Sequence, residues 1–276
     1  MIKDIVVNLS VSTKRDAACD YAVSLASTFK AYLAGVAFNY EAMLPGAFAD
    51  GMDTGFIDTQ RAENEKAAKA AIAKFDEAAK RAGLSSASQM IEASFGGASG
   101  RFGEIARRFD LSVVGQSEPT KSAVEDLLIE AALFESGRPV VVVPYIQKGP
   151  VKLDRVLVCW NRSRNAARAI ADAMPFLERS KGVEVLTISS KNIKDDEPSG
   201  ASITDHLIRH GLTTEGKHIV SEDSDIASTI LSYAADCSAD FIVMGGYGHS
   251  RLREFVLGGA TRTMLASMTI PTLMSH

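Results

Sequence analysis

The chain reads as an α/β protein built from two tandem copies of one domain, and three observations carry that reading. Short apolar, β-branched runs alternate with helical segments along all 276 residues. The same order of segments occurs twice. The two copies are joined by Gln147-Lys148-Gly149-Pro150, a turn-rich linker. Alternation of this kind means βαβ units, right-handed crossovers and a parallel sheet with helices on both faces. The domains expected are 1–147 and 151–276, both of ordinary size.

The first copy opens with IKDIVVNLS (Ile2 to Ser10) and the second with LDRVLVCWN (Leu153 to Asn161). An amphipathic helix follows each. Ala18, Tyr21, Ala22, Leu25 and Phe29 share one helical face in the first copy. Ala166, Ile170, Ala173, Met174 and Leu177 do so in the second, where Pro175 predicts a kink. Second strands are expected at Tyr32–Phe38 and Val183–Ile188, and weaker third strands at Gln89–Ser94 and Lys217–Val220. The long charged stretch Thr59–Ala82 reads as a solvated covering helix, with a shorter counterpart over Ile203–His210. Pro45 to Gly55 reads as a loop. Helices are expected over Glu104–Phe109 and Asp225–Cys237. Fourth strands follow at Asp110–Gly115 and Asp240–Gly245. Fifth strands are expected within Gly137–Tyr145 and Thr269–His276.

Bulk properties exclude several function classes. A net charge of −4 gives no general attraction for nucleic acid or acidic lipid. Cys19, Cys159 and Cys237 are odd in number and widely spaced, which argues against a disulfide framework or a CxxC site. The opening MIKDIVVNLS lacks the basic and apolar runs of a leader, and no stretch has the ~18 apolar residues of a membrane span. These features predict a cytoplasmic protein with no membrane partner. His206 and His210, four apart beside Asp205, have the spacing of a metal pair, but a solvated helix face explains them more simply. Cys159, at the end of a strand, reads as a core thiol.

The chemistry concentrates after the fourth strand of the second copy. Met244 is followed by Gly245-Gly246-Tyr247-Gly248-His249-Ser250, and after Arg251 to Leu257 by Gly258-Gly259-Ala260-Thr261. Glycines permit close backbone approach to a ligand, and a helix beginning at Ala260 presents free N–H groups to an anion. The Walker pattern GxxxxGK[ST] is absent, as is a GxGxxG after a first strand. In the first copy only Gly115 survives. Gln116-Ser117-Glu118-Pro119-Thr120 replaces the loop, and Glu118, Glu125, Asp126 and Glu130 would repel a phosphate.

The pattern Gly245-x2-Gly248-x9-Gly258 resembles the signature of the universal stress protein family, and the chain as a whole resembles its tandem members. That resemblance implies an open five-stranded parallel sheet of order 3-2-1-4-5 in each half, the first half being degenerate. It implies a stress-response role as sensor or regulator, with ATP, AMP or ADP, and Mg with it, bound in the second half. It also implies that the two halves associate near their last strands, with VVVVPY (Val140 to Tyr145) against the second half; edge strands that invite pairing leave room for a homodimer of tandem chains. Transferred by motif, Gly245, Gly248 and Gly258 line the ribose and phosphate path. Gly259, Ala260 and Thr261 offer donors to phosphate, and Met244 lies beside the ribose. Cys159 and Trp160 precede Asn161, which stands where the family has an acid. Thr187 and Ile188 take the adenine position, and His249 sits in the loop. Gly259 replaces the family's Ser or Thr. The sequence shows no paired acids of a phosphoryl-transfer centre, so slow, incidental ATP hydrolysis is the most that is expected. The rival expectation is a nucleotide-free interaction scaffold.

Overall fold

The computed structural model describes residues 1–11, 15–41, 54–118, 124–189, 202–220, 225–246 and 259–276. The first half runs β1 (Asp4–Asn8), α1 (Ala17–Phe29), β2 (Tyr32–Tyr40), α2 (Thr54–Arg81), β3 (Ser86–Ala93), α3 (Phe95–Ala106), β4 (Leu111–Gly115), α4 (Val124–Glu135), β5 (Val140–Val143). The second runs β6 (Arg155–Cys159), α5 (Arg164–Leu177), β7 (Gly182–Ser189), α6 (Ile203–Arg209), β8 (Thr214–Val220), α7 (Ile226–Asp236), β9 (Phe241–Gly245), α8 (Gly259–Ser267), β10 (Thr272–Ser275). Among the described residues, no helix is long and apolar enough to cross a membrane.

Two compact units emerge, and they do not divide at the linker. One holds Ile2–Arg138 with Lys148–Pro150; the other holds Pro139–Gln147 with Val151–His276. The first unit carries four parallel strands in the order β3-β2-β1-β4. The second carries six, in the order β5-β10-β9-β6-β7-β8. Five strands in each was the expectation. The difference is β5, which pairs antiparallel with β10 through Val140–Met274, Val141–Leu273 and Val142–Thr272. All four valines of β5 are buried, and a strand apolar on both faces needs cover on both faces.

Side-chain caps set the helix starts. Asp16 accepts from the Cys19 N–H at 2.9 Å, Ser163 from Ala166 at 3.1 Å and Ser202 from Asp205 at 3.1 Å. The predicted face of α1 is fully buried. In α5, Phe176 takes the core position expected of Met174 and stacks on Phe241 at 5.0 Å. Pro175 lies in the last turn of α5, so no second helical segment exists for it to kink. Helix α3 begins well before Glu104, at Phe95, with Ser94 as its cap. Strands β3 and β8 exceed their expected lengths. Each pairs with one neighbour only, so half-solvated side chains interrupt the apolar run that would have marked them. The expected loop at Pro45 to Gly55 lies mostly outside the described residues.

In the second unit β6→β7→β8 steps one way across the sheet and β8→β9→β10 the other. Right-handed crossovers therefore put α5 and α6 on one face and α7 and α8 on the opposite one. The order reverses between β6 and β9, where open α/β sheets leave a crevice at the carboxyl ends of their strands.

Candidate functional site

At that crevice the strand register does most of the construction. Cys159 is opposite Leu186 on one side and Met244 on the other. Register partners share a face, so these three side chains form one row, and Ile188, two residues beyond Leu186, joins it. Helix α7 lies over that face and contributes Ile226 and Ile230, one helical turn apart. The first turn of α8 closes the end with Gly259, Ala260 and Thr261. With Trp160, Asn161 and Gly245, these residues enclose a cavity of about 150 Å³. No charged side chain is among its described lining.

Backbone contacts hold the cavity in shape. A Cβ on Gly245 would come within 2.6 Å of the Ala166 nitrogen and the Asn165 carbonyl carbon, so the strand end packs directly on the start of α5. Gly246 is tied from both sides. Its carbonyl accepts from the buried Asn165 Nδ2 at 2.6 Å, and its N–H donates to the Ser275 carbonyl at 2.8 Å. The Trp160 N–H donates to the Leu186 carbonyl at 2.8 Å. Asn161 Oδ1 accepts from the Ser163 N–H at 3.1 Å, an Asx turn that places Arg162 in the left-handed region, with φ of 61°.

Most residues singled out in the sequence meet here: Cys159, Trp160, Asn161, Ile188, Met244, Gly245, Gly259, Ala260 and Thr261. Thr187 does not. Successive residues of a strand point to opposite faces, and Thr187 lines a different cavity. Gly248, His249 and Gly258 lie outside the described residues. Leu186, Ile226 and Ile230 were missed. The two-residue period through Ile188 points to the first, and the four-residue period of α7 points to the others. Burial pushes the Cys159 thiol up to about 12, with a smaller contribution from Cys237, so it is no activated nucleophile. The exposed His206 and His210 rings meet edge-on at 4.6 Å. Among the described residues, no three His, Cys, Asp or Glu side chains gather as a metal group.

Thr187 belongs to a second cleft of about 290 Å³, on the α5–α6 side of the same strand ends. Val185, Thr187, Gly216, Lys217 and His218 line it from β7 and β8, and Ser202, Ile203 and Thr204 from the start of α6. Trp160, Asn161 and Ile188 border both cavities.

The first unit treats the corresponding strand ends differently. Helix α4 starts with Glu125 and Asp126 in its first turn. Ser117 Oγ donates to Asp126 Oδ1 at 2.7 Å, so the strand-to-helix connection is bonded to itself. At the end of β2, Tyr40 stacks on Phe95 with ring centroids 4.6 Å apart. Burial, and then the Glu125 carboxylate, raise the Tyr40 phenol above its ordinary range.

Comparison with known proteins agrees with this geometry. The family model described as "Universal stress protein family" matches residues 152–276. Universal stress protein Slr1230 of Synechocystis sp. is 22% identical over 170 residues, 60% of this chain and 57% of its own length. The chain thus spans little more than half the length of that curated relative. A crystal structure of a universal stress protein from Archaeoglobus fulgidus superposes with a TM-score of 0.74 at 14% identity, covering 99% of this chain and 95% of the other. A putative universal stress protein from Pseudomonas aeruginosa gives 0.62 at 12% identity, covering 99% and 93%. The fold is therefore that of solved universal stress protein structures.

Proposed function

We propose that the chain is a cytoplasmic tandem universal stress protein, with repeats 1–147 and 151–276, in which the second repeat binds ATP or a related adenine nucleotide as a sensor or regulator. One observation carries the reading: among the described residues, all but Thr187 of those that the glycine motif and its family would assign to a nucleotide line a single cavity at the strand-order reversal. The fit follows from chemistry. Leu186, Ile188, Ile230 and Met244 offer an apolar slot for a flat base. The first turn of α8 contains no acidic residue, and its Gly259 and Ala260 N–H groups suit a phosphate. The uncharged Asn161 suits a ribose hydroxyl. No carboxylate lines the cavity among the described residues, so Mg would be held through the phosphates.

Calorimetry of the full chain with ATP, AMP and cyclic AMP tests the proposal. ATP is expected to bind in the micromolar range, and Ile230→Trp, which fills the slot, to weaken it more than about tenfold, a loss above ~1.4 kcal/mol. Ile230 is buried, so circular dichroism should first confirm that the variant folds. Absence of wild-type binding at millimolar ATP would remove the proposal.

One observation favours the nucleotide-free scaffold as a second reading. Asn161 Oδ1 already caps its own turn, leaving only its amide N–H₂ for a ligand.

A further inference from the structure

The α5–α6 cleft differs in chemistry from the apolar cavity on the other face. Arg162, His218, Asn161 and the hydroxyls of Thr187 and Thr204 supply hydrogen-bond donors, whereas the Ser202 hydroxyl is committed to Asp205 as the cap of α6; no carboxylate is among the described lining. Trp160, Val185, Ile188 and Ile203 add an apolar wall. Lys217 turns its ammonium over the Tyr233 ring, 5.8 Å from the centroid, so among the described lining the guanidinium of Arg162 is the principal positive charge.

Local geometry supports these groups. The Asx turn from Asn161 to Ser163 fixes the backbone at Arg162 in the left-handed region. His218 Nε2 lies 2.8 Å from Ser189 Oγ, which orients the imidazole. At Gly216 a Cβ would stand 3.2 Å from Thr204 Oγ1, so the missing side chain leaves that hydroxyl room in the cleft. A guanidinium, an imidazole and hydroxyls beside an apolar wall suit an anion with several acceptor oxygens attached to a small carbon body.

We infer that this cleft is a second ligand site of the C-terminal unit, taking a small phosphate monoester independently of the nucleotide cavity. The two bind different classes of group, because one lining is uncharged and apolar while the other carries a guanidinium and several donors.

Glycerol 3-phosphate is the probe. Amide shifts of the full chain are followed by NMR at fixed ionic strength, with glycerol and chloride as controls. Saturable shifts are expected at Thr187, Gly216 and His218. Arg162→Gln is expected to weaken them by roughly tenfold, about the worth of one charge-assisted hydrogen bond. Gly216→Val is expected to weaken them as well, by crowding Thr204. Ile230→Trp is expected to leave them unchanged, which separates this site from the nucleotide proposal. The inference fails if glycerol shifts the same amides equally, if the shifts centre on Gly259 to Thr261, or if Arg162→Gln leaves the affinity intact.

Discussion

The two strand-to-helix connections after β4 and β9 begin alike and end as opposites. Both follow a buried apolar strand that finishes in glycine. After Gly115, Ser117 bonds to Asp126, acids occupy the first turn of α4, and Tyr40 lies stacked on Phe95. After Gly245, the first turn of α8 has no acid and faces a cavity walled by aliphatic side chains. One end places carboxylates in the first turn of its helix; the other carries none there. The comparison teaches that two units can share a strand order while a few side chains at one edge give their strand ends opposite chemistry.

The largest expected break in the comparison is steric. Gly245→Ala drives a methyl into the backbone of α5 and is expected to destabilise the chain by about 1–3 kcal/mol. Gly115→Ala meets, among the described residues, only the Ala18 Cβ, at 3.6 Å, and is expected to cost less than about 0.5 kcal/mol. Urea unfolding of both variants checks the pair, and equal effects would mean that the two glycines do the same job.

Asn165→Ala comes next. It leaves the Gly246 carbonyl without its buried side-chain donor and is expected to cost about 1–2 kcal/mol by the same measurement. A smaller effect is expected at the ligand. Gly259→Ser returns a hydroxyl to the start of α8, where an added Cβ meets nothing within 4 Å among the described residues. ATP affinity by calorimetry should rise about fivefold, or ~1 kcal/mol. An unchanged affinity would place the phosphates away from α8.

The last prediction is silent at neutral pH. The folded Cys159 thiol titrates near 12, above its ordinary 9.0, so the folded state holds its proton more tightly. Stability from that group is intact below pH 9 and is lost as pH rises towards 12. Cys159→Ala should therefore flatten the alkaline fall in denaturation midpoint. A curve parallel to wild type would show that burial is not holding that proton.

Much of this was legible in the sequence because buried strands and glycine spacing are local signals. Phe241 to Gly245 is apolar throughout, and the Gly259–Thr261 turn follows it at the motif's distance. What escaped depends on tertiary context. Helix α4 was not read from its acid-rich start. Leu186, Ile226 and Ile230 look like ordinary core residues until α7 is laid over β7. Thr187 was assigned by its neighbour Ile188, although the pleat separates their side chains. The role of Gly245 against α5 is invisible in one dimension, because it joins residues eighty positions apart.

Strand β5 carries a practical consequence. It precedes the linker in the chain, yet Val140–Val142 form the hydrogen-bonded neighbour of Thr272–Met274. A protein cut at the linker would strip β10 of that partner and leave an apolar ladder open to the nearest extended peptide. Expressed alone, residues 151–276 should pair through that edge with another copy or aggregate. Here the turn-rich linker in the sequence and the boundary of the folded body fall at different peptide bonds.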